Sequence, residues 1–164
     1  MPRLADPDPE GLPELIRAVD ARAAGLTADQ VRQRVRSGRW QCMAPGVYLI
    51  RGRHEVDDDF SRARLEHALR ARAAAMTHAD SVIALQSAAA VHGLPTVSRL
   101  PNLVHLISPR GRAGVRAGIN IHRLSLAEGD VHDLGGPVTT PLRTWIDITP
   151  AGSLADSLAL GDAG

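Results

Sequence analysis

Residues 15–53 read LIRAVDARAAGLTADQVRQRVRSGRWQCMAPGVYLIRGR, and the punctuation of this stretch decides the fold expected of the chain. Leu15 to Ala24 is helix-prone, and Gly25 follows where a helix C-terminus takes a left-handed residue. Thr27-Ala28-Asp29-Gln30 is a capping box: the Thr27 hydroxyl can satisfy the Gln30 amide while the Gln30 side chain reaches back to the Thr27 amide. The helix it opens runs VRQRVRS and stops at Gly38. Two short helices with only Gly25-Leu26-Thr27 between them outline a helix-turn-helix. Pro45-Gly46 is a turn signal, with Trp40 before it and Val47-Tyr48-Leu49-Ile50 after it, so a hairpin follows the second helix directly. A hairpin in that place is the wing of a winged helix.

Projected at about 100° per residue, residues 28–37 place Val31 and Val35 together on the core side. Gln33 lies opposite, flanked by Asp29, Gln30 and Arg36, with Arg32 and Arg34 on the shoulders. In a major groove such a helix would offer Gln33 and Gln30 to base edges and its arginines to guanine or phosphate. Arg39, Arg51 and Arg53 on the hairpin would lie near flanking phosphates. The expected DNA-binding set is therefore Thr27, Gln30, Arg32, Gln33, Arg34, Arg36, Arg39, Arg51 and Arg53.

Charge segregation supports that reading. The net charge of the 164-residue chain is only +1, yet residues 30–53 carry six arginines and no acid. Residues 81–127 carry five more, again without an acid, while 128–164 hold six acids against Arg143 alone. A basic stripe on a DNA-sized element speaks to partners in a way net charge does not.

Outside the decisive stretch, residues 1–12 alternate prolines with acids and read as a flexible leader. Asp57-Asp58-Asp59 precede a long helical stretch at 60–76, on which Phe60, Leu65, Ala68, Leu69 and Ala73 can share a face. An alanine-rich helix is expected at 83–92, and strands at 103–107 and 119–124 across a Gly/Arg loop. Residues 130–138 suit another strand, 142–148 a short helix and 153–160 a last helical fragment. Thr139 or Thr140 can cap the helix at 142–148, and Arg143 and Asp147 at i, i+4 can pair. His92 reads as a helix-end residue bonded to backbone.

All 19 basic side chains are arginine, so chemistries built on lysine, such as a Walker phosphate loop or a Schiff base, are excluded. The single cysteine, Cys42, excludes an internal disulfide and a cysteine-based zinc finger. His105, His122 and His132 would converge only if their strands are neighbours, and no His-x-x-His spacing supports a metal. No nucleophile-elbow pattern surrounds Ser81 or Ser87. No catalytic residue, metal or cofactor is expected. No apolar run reaches the roughly 20 residues of a membrane span, and the N-terminus is unlike a signal peptide, so the expected location is cytoplasmic.

Three segments in order resemble one family. Residues 14–50 look like the N-terminal winged-helix region of the AbiEi antitoxins of type IV toxin–antitoxin systems. Gln86-Ser87-Ala88-Ala89-Ala90-Val91-His92-Gly93-Leu94 and the stretch from Pro137 through Thr139-Thr140-Pro141 to Arg143-Thr144-Trp145-Ile146-Asp147 resemble two further signatures of the same family. The resemblance implies a transcriptional repressor that binds double-stranded DNA at its own promoter and counters a nucleotidyltransferase-like toxin. DNA contacts would fall on residues 27–37 and on the wing ending near Tyr48. Many relatives continue into a very-short-patch-repair-like endonuclease domain, and this chain stops where that continuation would begin.

The expected fold class is α+β: a leader at 1–12, an abbreviated winged helix-turn-helix at 13–55, and a small mixed α/β region at 56–164, a truncated one on the family's pattern. Arg110, Arg112, Arg116 and Arg143 are the candidate partner contacts. Two rival readings are a protein-interaction module that neutralises a toxin without reading DNA, and a non-catalytic N-terminal piece of a nuclease-associated protein.

Overall fold

The computed structural model describes residues 8–52, 58–95 and 100–149, and the chain divides into two compact units, Met1–Glu55 and Val56–Gly164. The class is mixed α+β, with a three-stranded sheet in the first unit and a six-stranded sheet in the second.

The first unit runs β1 (Leu15–Arg17), α1 (Ala18–Ala23), α2 (Ala28–Arg36), β2 (Trp40–Ala44) and β3 (Val47–Ile50). Its start corrects the sequence reading. Leu15–Arg17 is not the first turn of a helix but a strand, antiparallel to β3 with Ile16 opposite Tyr48. The edge of the hairpin takes up the backbone groups of this segment, and the pleat buries Ile16 while Arg17 faces solvent. The helix is left with six residues. It ends in a Schellman motif: the Gly25 amide donates to the Arg22 carbonyl and the Leu26 amide to that of Ala21, with Gly25 at φ 87°.

Between β2 and β3 the chain turns at Pro45-Gly46, proline supplying the first central φ and Gly46 the positive φ of 73° that a type II turn requires at the second. A bulge between Cys42 and Ala44 shifts the register of this pair. The core is Leu12, Ile16, Ala21, Leu26, Val31, Trp40 and Ile50, with Val35 and Tyr48 packed against it. Leu12 in that core, and Asp8 in an ion pair with α2, overturn the reading of residues 8–12 as a flexible leader; the remainder of that leader lies outside the described residues.

The second unit contains α3 (Asp59–Thr77), β4 (Val82–Ile83), α4 (Leu85–His92), β5 (Val104–Ile107), β6 (Gly114–Arg116), β7 (Ile119–His122), β8 (Val131–Asp133), β9 (Pro137–Thr139) and α5 (Pro141–Ile148). Strand order is β6-β7-β5-β4-β9-β8, with β5–β7 and β4–β9 parallel and the other pairs antiparallel. Asp58 caps α3 by accepting from the Ser61 amide at 2.8 Å. Phe60 does not join the buried face of that helix and is 53% exposed; Ala68, Leu69, Ala71, Ala73 and Ala74 are buried instead. Against them lies α4, whose own buried residues include Ser87, Ala88, Ala89 and Ala90. Such small side chains let helix backbones approach closely, which builds an interior without aromatics. Ala88 belongs to one apolar cluster with Ile83, Val104, Leu106 and Val138, and Ala89 to another with Leu85, Ile107 and Ile148. The expected helix at 83–92 is thus a two-residue strand followed by a shorter helix. The loop at 108–118 holds an unexpected strand, β6. The fragment expected at 153–160 lies outside the described residues. Among the described residues no helix is long and apolar enough to cross a membrane.

Candidate nucleic-acid interface

The capping box forms as the residue types dictate. The Gln30 amide donates to Thr27 Oγ1 at 3.2 Å, and the Thr27 amide donates to Gln30 Oε1 at 2.8 Å. These bonds fix the start of α2 and commit the Gln30 side-chain oxygen to the helix end, leaving only its amide NH2 to reach outward. Val31 is buried and Val35 packs on the core, so the opposite face is presented to solvent.

On that face Gln33 and Arg36 are exposed, and neither side chain has a hydrogen-bond or ion-pair partner among the described residues. Arg32 is exposed too, but its guanidinium is paired with Asp29. The hydrogen bond from Arg32, then its charge, hold the Asp29 carboxyl below its ordinary value. Being largely exposed, that pair is weak and exchangeable for a phosphate.

Arg34 is placed inside instead, and this corrects the expected set. Only 4% of the residue is exposed. Its Nε donates to Asp8 at 2.7 Å, its Nη1 donates to the Gln30 carbonyl at 3.3 Å, and its guanidinium lies 5.9 Å from the centre of the Trp40 ring. The sequence projection missed this because the shoulder position is covered by Asp8, 26 residues earlier. Arg39 is half-buried and shares the same carboxylate at 3.3 Å. Burial pushes the Asp8 carboxyl up, but the hydrogen bond from Arg34 and the charges of Arg39 and Arg34 outweigh it and leave the carboxyl below its ordinary value. Arg51 is exposed on the hairpin side and donates to Gln41 Oε1 at 2.8 Å and 3.2 Å. Arg53 lies outside the described residues.

Of the candidate partner contacts in the second unit, Arg112 and Arg116 are exposed and unpaired among the described residues. Arg110 is exposed and lines a surface cavity with His78, Asp80 and Ser81. Arg143 is not available in the expected way. Its Nε donates to both Asp147 oxygens at 2.9 Å and its Nη1 to Asp130 at 2.6 Å, with 17% of the side chain exposed. The expected Thr140 cap is present, accepting from the Arg143 amide at 3.2 Å.

His105 and His122 do come together, because β5 and β7 are paired: His105 Nδ1 and His122 Nε2 are 2.9 Å apart. Burial, then the charge of His122, pushes His105 down; burial pushes His122 down against the opposing pull of Asp147. His132 sits on β8, at the far edge of the sheet. Among the described residues no three His, Cys, Asp or Glu side chains are grouped to hold a metal ion. His92 Nε2 donates to the Thr139 carbonyl at 2.7 Å, as a helix-end residue bonded to backbone should. Sequence reasoning missed the buried His67–Ser87 contact, 2.8 Å between α3 and α4. No short-range pattern links residues 20 apart. Neither a protein-family model nor a curated protein matches this chain.

Proposed function

We propose that the first unit is a winged helix-turn-helix and that the protein is a cytoplasmic, DNA-binding transcriptional regulator of the AbiEi antitoxin type. The observation that carries the DNA reading is the outer face of α2, where Gln33 and Arg36 stand exposed and unpaired beside Arg32. Further support comes from the order of elements: two helices joined by a short connection, then a hairpin whose third strand is β1. Gln33 is the adenine-reading group of this proposal, Arg36 reads guanine or phosphate, and Arg32 exchanges Asp29 for a phosphate. Arg34 and Arg39 take no direct part; with Asp8 they brace α2 against the hairpin. Repression of its own operon and the countering of a nucleotidyltransferase-like toxin rest on the family resemblance of the three motifs.

The test is retardation of a duplex carrying the protein's own promoter, with a random duplex of equal length beside it. Wild type favours the promoter. Gln33→Ala with Arg36→Ala loses most of that preference, on the scale of about 1–3 kcal/mol per base contact. Unchanged preference in the double variant removes α2 as the reading element. Co-purification with the neighbouring gene product tests the toxin-directed half separately.

A further inference from the structure

The β6–β7 hairpin carries a second basic surface. Its turn, Ala117-Gly118, has both residues at positive φ, 50° and 80°, the geometry of a two-residue type I′ hairpin. Gly114 pairs with Ile121 and Arg116 with Ile119. Two residues beyond the Gly114–Ile121 pair on either strand stand Arg112 and Arg123. All three arginines are exposed and have no partner among the described residues. The nearest acids in the sequence are Asp80 and Glu128.

We infer that this arm is a phosphate-contacting surface for double-stranded DNA, distinct from α2. Three like charges on one short hairpin repel each other, and the arm offers no carboxylate to relieve them. A polyanion does. Edge-strand protection explains Arg116, since β6 ends the sheet, but not Arg112 or Arg123, which lie outside the paired residues. A protein partner would need a clustered apolar anchor at the centre of the contact, and the exposed large apolar side chains here are two, Val115 on β6 and Leu124 beside Arg123, on different limbs of the arm. Around Arg112 and Arg116 the neighbouring positions other than Val115 are small: Gly111 is half-buried, and Ala113, Gly114 and Ala117 are exposed. Such residues let a sugar–phosphate chain approach closely. At about 3.3 Å per residue, Arg112 to Arg116 spans at most roughly 13 Å, about four base steps of rise along the duplex axis. These contacts carry no sequence information. The inference shares its partner class with the proposed function but does not depend on α2.

The experiment uses the full chain, a random-sequence duplex in a salt titration, and the promoter duplex of equal length beside it. Wild type is compared with a triple variant, Arg112→Gln, Arg116→Gln and Arg123→Gln, and with the α2 variant Gln33→Ala, Arg36→Ala. Thermal unfolding followed by circular dichroism checks that the triple variant keeps its fold, as exposed unpaired side chains allow. The expected result is affinity down roughly tenfold or more, and a slope of log K against log salt shallower by about 2.7, near 0.9 for each phosphate left without its arginine. Wild-type affinity and slope in the triple variant would overturn the inference. If the α2 variant then loses promoter preference, the proposed function survives without the arm. The opposite pattern keeps the arm and removes α2. No binding of wild type to any duplex at low salt overturns both. Poly-glutamate that binds wild type but not the triple variant, with duplex binding unchanged between them, reassigns the arm to acidic polypeptides and overturns the inference.

Discussion

Arg34 and Asp8 form an ion pair at 2.7 Å in which 5% and 20% of the side chains are exposed. The contact joins α2 to the segment that precedes β1, and Trp40 lies beneath the guanidinium. It divides the arginines of residues 32–39 into two kinds: Arg34 and Arg39 brace the fold around one carboxylate, while Arg32 and Arg36 face solvent.

Asp8→Asn removes the carboxylate that is paired with the buried Arg34 guanidinium. Removing one partner of a fully buried pair costs about 3–5 kcal/mol, and partial exposure of Asp8 brings the expected loss to about 2–3 kcal/mol. Urea denaturation followed by Trp40 fluorescence, in a Trp145→Phe background, reads this unit alone. The sign with pH is fixed as well. The folded carboxyl sits below its unfolded value, so its contribution is present above the ordinary carboxylate pKa and is lost as pH falls through the folded one. Asp8→Asn should flatten that acid limb. A stability unchanged by the substitution would show that the pair does not hold α2 in place.

Thr27→Ala removes the hydroxyl that caps α2 and should cost about 1 kcal/mol, while Thr27→Ser should cost little. Gln30→Ala removes the return half of the box and should cost less than Thr27→Ala. Both losses are read by urea denaturation through Trp40. Equal losses from Thr27→Ser and Thr27→Ala would mean that the methyl group, not the hydroxyl, matters at this position.

His67 gives the second unit a pH response of its own. Burial against Ser87, with the nearby charges of Arg70 and His105, pushes its pKa down to about 4, against about 6.5 when unfolded. The unfolded chain therefore takes up the proton first. Stability is full above about pH 6.5 and falls toward pH 4, by up to about 3 kcal/mol from this group. His105 and His122 add to the same limb, since burial lowers both. Chemical denaturation followed by Trp145 in a Trp40→Phe background should show the fall, and His67→Gln should reduce its slope between about pH 6.5 and 4. An unaltered slope would place the proton uptake elsewhere.

What the sequence made legible was local. Thr27 with Gln30, Thr140 with Arg143, and Arg143 with Asp147 are three or four residues apart, so residue type and helical spacing suffice to pair them. Gly25 and Pro45-Gly46 are legible because few residues accept the backbone angles those positions need. What stayed hidden depended on distant chain. Leu15–Arg17 resembles a helix until its partner β3, some thirty residues on, claims it as a strand. Arg34 looks like a shoulder residue until Asp8 covers it. β4 and β6, two and three residues long, are too short to show a period and exist through their neighbours in the sheet. In the candidate interface, the outer positions of α2 followed from periodicity, but which arginines were free depended on acids the helix pattern cannot reveal.

Arg143 separates a structural from a contacting role. Its guanidinium is held between Asp130, in the loop before β8, and Asp147 on α5, and the motif that carries it is the one most loaded with polar groups. Desolvation works against the charge, yet the bonds to Asp147 and Asp130 outweigh it and raise the pKa further. Arg143→Ala would leave two partly buried carboxylates facing each other without a cation. The second unit should lose about 2–3 kcal/mol, read by urea denaturation through Trp145 fluorescence in the Trp40→Phe background. Double-stranded DNA affinity at a salt concentration where the variant is still folded should be unchanged, because the side chain spends its donors internally. Adding Asp130→Asn and Asp147→Asn to Arg143→Ala should recover part of the stability, as removing all three charges is less costly than removing the cation alone. Weakened DNA binding with unaltered stability would reverse the assignment and return Arg143 to the contacting arginines.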